Sequence, residues 1–221
     1  MFASWLTWSH SGSKRFAAAS LLSAAQDGTM KDMSERTLRR PRERELSEAE
    51  SEARRRALEQ IRVLGDPVLR EKAHVVEAFD GDLAKLTQRM FTIMDDAPGI
   101  GLAATQIGVV QRVLVYRVDE SHHVLVNPVL SDPSDETEVV EEGCLSVPGV
   151  VVPVERPVRI HVRARDARGA RLDFIAEDLE ARVIQHETDH LNGILILERT
   201  TKAERARALR ELREAALTGT R

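Results

Sequence analysis

The ten residues Gly99–Gly108, "GIGLAATQIG", decide the fold, because Gly99-x-Gly101-x-x-Ala104 has the outline of a dinucleotide-binding loop. Such a loop needs a strand before it, a helix after it and an acidic residue about 20 positions further on, an offset near which Asp119 and Glu120 lie. The strand is missing. Leu83, Leu86, Met90 and Met94 recur at helical spacing through "LAKLTQRMFTIM", with no β-branched run. After Gln106 the chain reaches "RVLVYRV" (112–118), a strand pattern, too soon for a crossover helix to intervene. The nucleotide reading fails, and a doubly wound parallel sheet fails with it. Gln106 is then a loop amide that still lacks an explanation.

Working outward, strand patterns cover 113–118, 123–129, 138–145, 158–165 and 171–175. Gly169 in "DARGA" suits a hairpin between the last two, and Pro148-Gly149 reads as a turn. Helical spacing covers 82–94, 177–191 and the "TTKAERARALRELREAAL" segment, where Thr200 or Thr201 is the expected cap and Leu209, Leu212 and Ala216 share a side. Strands clustered between helices imply an α+β fold, with antiparallel or mixed sheets packed around a central helix, an N-proximal helix and a C-terminal one.

The 221 residues, 42% hydrophobic, suffice for one buried core. A net charge of −4 argues against a dedicated nucleic-acid binder. No apolar run approaches the ~20 residues of a membrane span. Residues 31–56 carry mixed charge and almost nothing apolar, so a disordered segment or a solvated helix is expected there. The first 30 residues weakly imitate a signal or transit sequence, while Met30 and Met33 offer later starts. The expected division is therefore 1–56, an extension or over-extended start, and 57–221, the folded domain.

"QHETDH" carries the chemistry. His186 and His190, four apart on a helix, project from one face about 5–6 Å apart at Cβ, so both imidazoles reach one metal ion. Glu187 can then serve as general base without being a ligand. "HETDHLNG" follows the metzincin pattern only to Gly193, because Ile196 stands where that pattern needs histidine. Glu198, Glu204, Glu211 and Glu214 are loose alternatives for a third ligand. Cys144, the single cysteine, lies at a strand end beside Gly143 and is the better one. Two imidazoles and a thiolate leave a position open for water, in a site that iron(II), zinc, cobalt or nickel could occupy.

Taken together, "GIGLAATQ", "EGCLS" and "QHETDH" resemble the three signature motifs of peptide deformylases, in the same order, across roughly Leu58–Leu217. The resemblance implies a metal-dependent hydrolase that removes the formyl group from the N-terminal formylmethionine of nascent polypeptides. It implies metal ligation by Cys144, His186 and His190, with iron(II) as the cellular ion and zinc, nickel or cobalt as substitutes. Glu187 becomes the general base, and the Gln106 amide and the Leu145 backbone N–H hold the carbonyl oxygen. Gly99, Gly101 and Gly143 become bare backbone beside an extended substrate, and Ile100, Val140, Leu179 and Val183 line the methionine pocket. Arg182 departs from an apolar lining, with its stem packed there and its charge reaching solvent. Glu142 and Asp189 are candidates to orient the metal ligands or, equally, to form ordinary salt bridges. The basic residues of the last helix suit ribosome docking near the exit tunnel, or a solvated face. Bacterial cytoplasm is the implied location, with an organelle as the alternative. A metalloprotease sharing HExxH and a non-catalytic ribosome-associated protein of the same fold are the competing readings.

Overall fold

The computed structural model describes residues 46–218. The expectations for residues 1–45, including the targeting-like start, lie outside the described residues. In chain order the elements are α1 (Glu48–Glu59), α2 (Gly81–Asp96), β1 (Gly101–Ala103), β2 (Val113–Val118), β3 (Ser121–Ser131), β4 (Thr137–Cys144), β5 (Val147–Pro157), β6 (Arg159–Arg165), β7 (Arg171–Glu177), α3 (Asp178–Leu191) and α4 (Lys202–Thr218). Helix α1 crosses position 56. Ser47 and Glu50 close a capping box at its start, and it buries Ala57 in the core that α2 shares.

The five-stranded sheet has the order β1-β2-β3-β6-β7, and β4 with β5 forms a separate two-stranded sheet. All the strand pairings are antiparallel, as an α+β chain with short connections requires. Gly169, at φ +85, makes the turn between β6 and β7. Pro148-Gly149 is not a turn. The hairpin reverses at Leu145-Ser146 instead, and β5 includes Pro148 and Gly149 within a register shift, where Gly149 adopts φ +86. As an outer strand paired only with β4, β5 can carry prolines whose missing N–H falls on the unpaired side.

Helix α3 packs against β1 and β2 and also touches β5, β6 and β7. Asp178 and Glu180 in its first turn complement the helix dipole, and Ile184 and Leu191 are fully buried, worth about 1.5–3 kcal/mol each. The helix stops at Asn192, and Gly193 then adopts φ +75, where a side chain would collide with the Arg70 carbonyl. Thr201 rather than Thr200 caps α4, accepting from the Glu204 N–H at 3.2 Å. Leu209 and Leu212 of α4 cover a third core cluster that includes Cys144, Val152 and Val154. The β4–β5 hairpin is thereby fixed beside the end of α3.

Candidate metal centre

Cys144 ends β4 at a register shift that follows Gly143. Across that shift the β5 partner jumps from Val151 to Val147, so residues 148–150 bulge from β5, and the Cys144 sulfur lies 3.1 Å from His190 Nε2. The donor atoms of Cys144, His186 and His190 all lie within 4.8 Å of one another, the one such group of three among the described residues. Two donors each about 2.0–2.3 Å from a shared ion can be at most roughly 4.5 Å apart, so the set is close to ligating distance as it stands. Glu142 accepts from His186 Nδ1 at 2.9 Å, which leaves Nε2 of that ring for an ion.

The local field attracts positive charge. His186 is pushed well above the ordinary imidazole range: burial works against this, but the neighbouring Cys144, Glu142 and Glu187 outweigh it. His190 is pushed well below the range by burial and by the charges of His186 and Arg156, which favours the neutral, ligating ring. Thiolate, two imidazoles and a carboxylate that orients one of them are together a donor set suited to a divalent transition metal.

Glu187 is buried, and its Oε2 has no hydrogen-bond partner. Burial, with a contribution from Glu142, raises its pKa to about 7 against the opposing effect of His186 and Arg156. Such a group can accept and return a proton near neutrality. A Cβ on Gly101 would stand 2.9 Å from both Cγ and Cδ of Glu187. Gly101 therefore clears room for this carboxylate, a reason for the glycine that the sequence pattern did not reveal.

Gln106 sits in the short helical turn Ala104–Ile107, almost wholly buried. Its Oε1 accepts from the Ala103 N–H at 2.7 Å, which fixes the amide so that Nε2 donates to Ser146 Oγ at 3.3 Å and lies 3.9 Å from Cys144 Sγ. Leu145, in the turn after Cys144, reaches over Gly99, where a Cβ would be 3.2 Å from its Cδ1. Gly143 is buried and pairs with Val151; Val140, half-buried, pairs with Val154. Val183 is buried with half-buried Leu179 against it, while Ile100 is exposed and its carbonyl accepts from the Arg117 N–H. A cavity of about 420 Å³ lies against a different face of α3, lined by Gln185, Thr188, Asp189 and Asn192, and none of the three donor residues lines it.

One expectation changes here, and for Asp189 one of two alternatives is decided. Arg182 does not reach solvent: it is 7% exposed and donates to Glu142 Oε1 at 2.8 Å, to Val154 O at 3.1 Å and to Glu138 O at 2.8 Å. Asp189 touches no metal ligand through its carboxylate and pairs instead with Arg156 and Arg199. Arg156 also binds Glu142 in a two-pronged pair, at 2.7 and 3.0 Å. Burial pushes the Glu142 pKa up, but the bonds from His186 and Arg156 prevail and hold it well below the usual carboxylate range. Residues 152, 154 and 156 share one face of β5, so Val152 and Val154 were the available signal that Arg156 is buried. Of the downstream acids, Glu198 is engaged by Arg70 and the Leu195 N–H, and Glu204 and Glu211 by Arg207.

Paired imidazoles one helical turn apart, a cysteine sulfur from a neighbouring hairpin and a buried glutamate with one oxygen unpaired define a metal-dependent hydrolase of the HExxH type. The chain belongs to the polypeptide deformylase family, whose family model matches residues 58–206. It is 44% identical to the peptide deformylase of Thermotoga petrophila over 158 residues, 72% of this chain and 96% of that one. Among solved structures it is similar to a peptide deformylase from Legionella pneumophila, at TM-score 0.68 and 38% identity, covering 73% of this chain and 96% of that chain. The peptide deformylase from Thermotoga maritima matches at TM-score 0.63 and 46% identity, covering 64% and 96% respectively.

Proposed function

We propose that this chain hydrolyses the formamide of N-formylmethionyl nascent polypeptides, releasing formate and a free amino terminus. The observation that carries this reading is the convergence of the Cys144, His186 and His190 donors beside an unpaired Glu187 oxygen. A divalent ion, which Cys144, His186 and His190 would hold, would supply Lewis acidity toward the formyl carbonyl and toward water. Glu187 Oε2 takes the proton released by the attacking water and returns it to the departing amine nitrogen. Gln106 Nε2 and the Leu145 N–H donate to the carbonyl oxygen as negative charge gathers there. Gly99, Gly101 and Gly143 leave backbone open to an extended peptide, which can pair with it as an added strand. Ile100, Val140, Leu179 and Val183 surround the methionine side chain.

Iron(II) is the proposed cellular ion, with zinc, nickel or cobalt able to substitute, and the bacterial cytoplasm is the proposed setting because a reducing interior preserves a ligating thiolate. No helix among the described residues is long and apolar enough to cross a membrane. Residues 57–221 are the proposed catalytic unit, and α4 the segment that meets the ribosome. The test is formate release from formyl-Met-Ala-Ser by anaerobic, iron(II)-loaded protein, run beside Glu187→Ala. Steady release that the substitution abolishes is expected; no formate, or an unimpaired variant, would remove the assignment.

A further inference from the structure

The side chain of Arg182 makes three hydrogen bonds that tie two separate parts of the metal centre together. It stands on α3 one turn before His186, and its guanidinium donates to the backbone of both strands of the hairpin that ends in Cys144: Glu138 O on β4 and Val154 O on β5. Its third contact is Glu142 Oε1. That oxygen also receives Arg156 Nε, while Oε2 receives Arg156 Nη2 and faces His186 Nδ1. Oε1 is thus occupied by two arginines, and the carboxylate is oriented so that Oε2 meets the histidine. Arg182, Arg156 and Glu142 are all more than nine-tenths buried, so these bonds have little competition from water.

We infer that Arg182 is a positioning residue for metal binding: it locks Glu142 against His186 and sets the hairpin bearing Cys144 at a fixed distance from the helix bearing both histidines. Arginine is suited to this because its planar fork reaches several acceptors at once, which a lysine ammonium on a flexible stem does less well. Asp189 and Arg199 extend the same chain of ion pairs beyond Arg156, but neither touches the hairpin backbone through a bond like those of Arg182. The inference rests on the metal-site reading above and is tested without substrate.

Zinc affinity is measured by chelator competition on the full chain, for wild type, Arg182→Met, Arg182→Lys, Glu142→Gln and the Arg182→Met/Glu142→Gln pair, with cobalt-loaded absorption spectra recorded in parallel. Disturbing a partner of a metal ligand typically weakens binding by about 10–100-fold. That loss is expected for Arg182→Met, with a smaller loss for Arg182→Lys and a changed thiolate-to-cobalt band in both. In the Glu142→Gln background the methionine substitution is expected to cost less than it does alone, because the part of its effect that passes through Glu142 is already lost and only the hairpin contacts remain to be removed. Far-UV circular dichroism reports folding, and if Arg182→Met does not fold, Arg182→Lys decides. Wild-type affinity and an unchanged cobalt spectrum in the folded variants would overturn the inference while leaving the proposed function standing. Failure of the wild-type chain to bind zinc would overturn both.

Discussion

A single methyl group added at Gly101 tests whether Glu187 depends on the space it occupies. The new Cβ would lie 2.9 Å from Cγ and Cδ of Glu187, where carbon contacts settle at about 3.5–4.0 Å. The shortfall is therefore roughly 0.6–1.1 Å. Strand β1 cannot easily yield it, because Gly101 is in register with Tyr116 and the preceding carbonyl of Ile100 is bonded to the Arg117 N–H. The carboxylate has to move instead. A displacement of about 1 Å in a reacting group costs on the order of 10²-fold in rate, within the ~10²–10⁴-fold that a general base contributes altogether. Gly101→Ala should accordingly lower kcat for formate release by about 10²-fold, while KM and bound metal, assayed by mass spectrometry, stay close to wild type. Gly81→Ala is the control: a Cβ there meets nothing within 4 Å, and the change should leave kcat intact. Combining Gly101→Ala with Glu187→Ala should cost no more activity than Glu187→Ala alone, since the obstruction is gone. A Gly101→Ala enzyme turning over at the wild-type rate would refute this reasoning.

Cys144→Ser should release most of the metal and nearly all formate production; a variant that keeps both would favour a protease-like site with an acidic third ligand. Gln106→Ala should lower kcat by about 10²–10³-fold with little change in metal content, and a change confined to KM would deny the amide its role at the carbonyl oxygen. Gly193→Ala, forced to hold φ +75 with its Cβ 2.5 Å from Arg70 O, should destabilise the fold by roughly 1–3 kcal/mol, read as a lower Tm in apo and loaded protein alike. Treatment with 1,10-phenanthroline should lower Tm as well, because an ion bound only by the folded chain stabilises it by mass action; an unmoved Tm would mean that no ion was held.

Local periodicity made α2 and α3 legible. Leu83, Met90 and Met94 recur at helical spacing and are all buried, and the same spacing put His186 and His190 on one face. Strand β2 was expected over 113–118, the span it occupies. Strand β5 escaped because Pro148, Gly149, Pro153 and Pro157 look like breakers, and only its outer position in a two-stranded sheet makes them tolerable. Strand β1 has three residues, too few for any alternation to register. Within the site, the histidine pair is a matter of spacing along one helix, whereas the surroundings of Arg182 are set by Glu142 and Glu138, 40 and 44 positions away. A long-range partner of that kind turns a side chain expected to reach water into a buried one, and no window of sequence around Arg182 contains it.

The chain holds one cysteine, and that residue is buried among the proposed ligands, 2% exposed. A thiol-selective dye applied to this protein therefore has a single target. Its labelling rate should be slow with an ion in place and quicken on chelation, a stopwatch for metal exchange in purified variants with no background sulfhydryl from the chain itself.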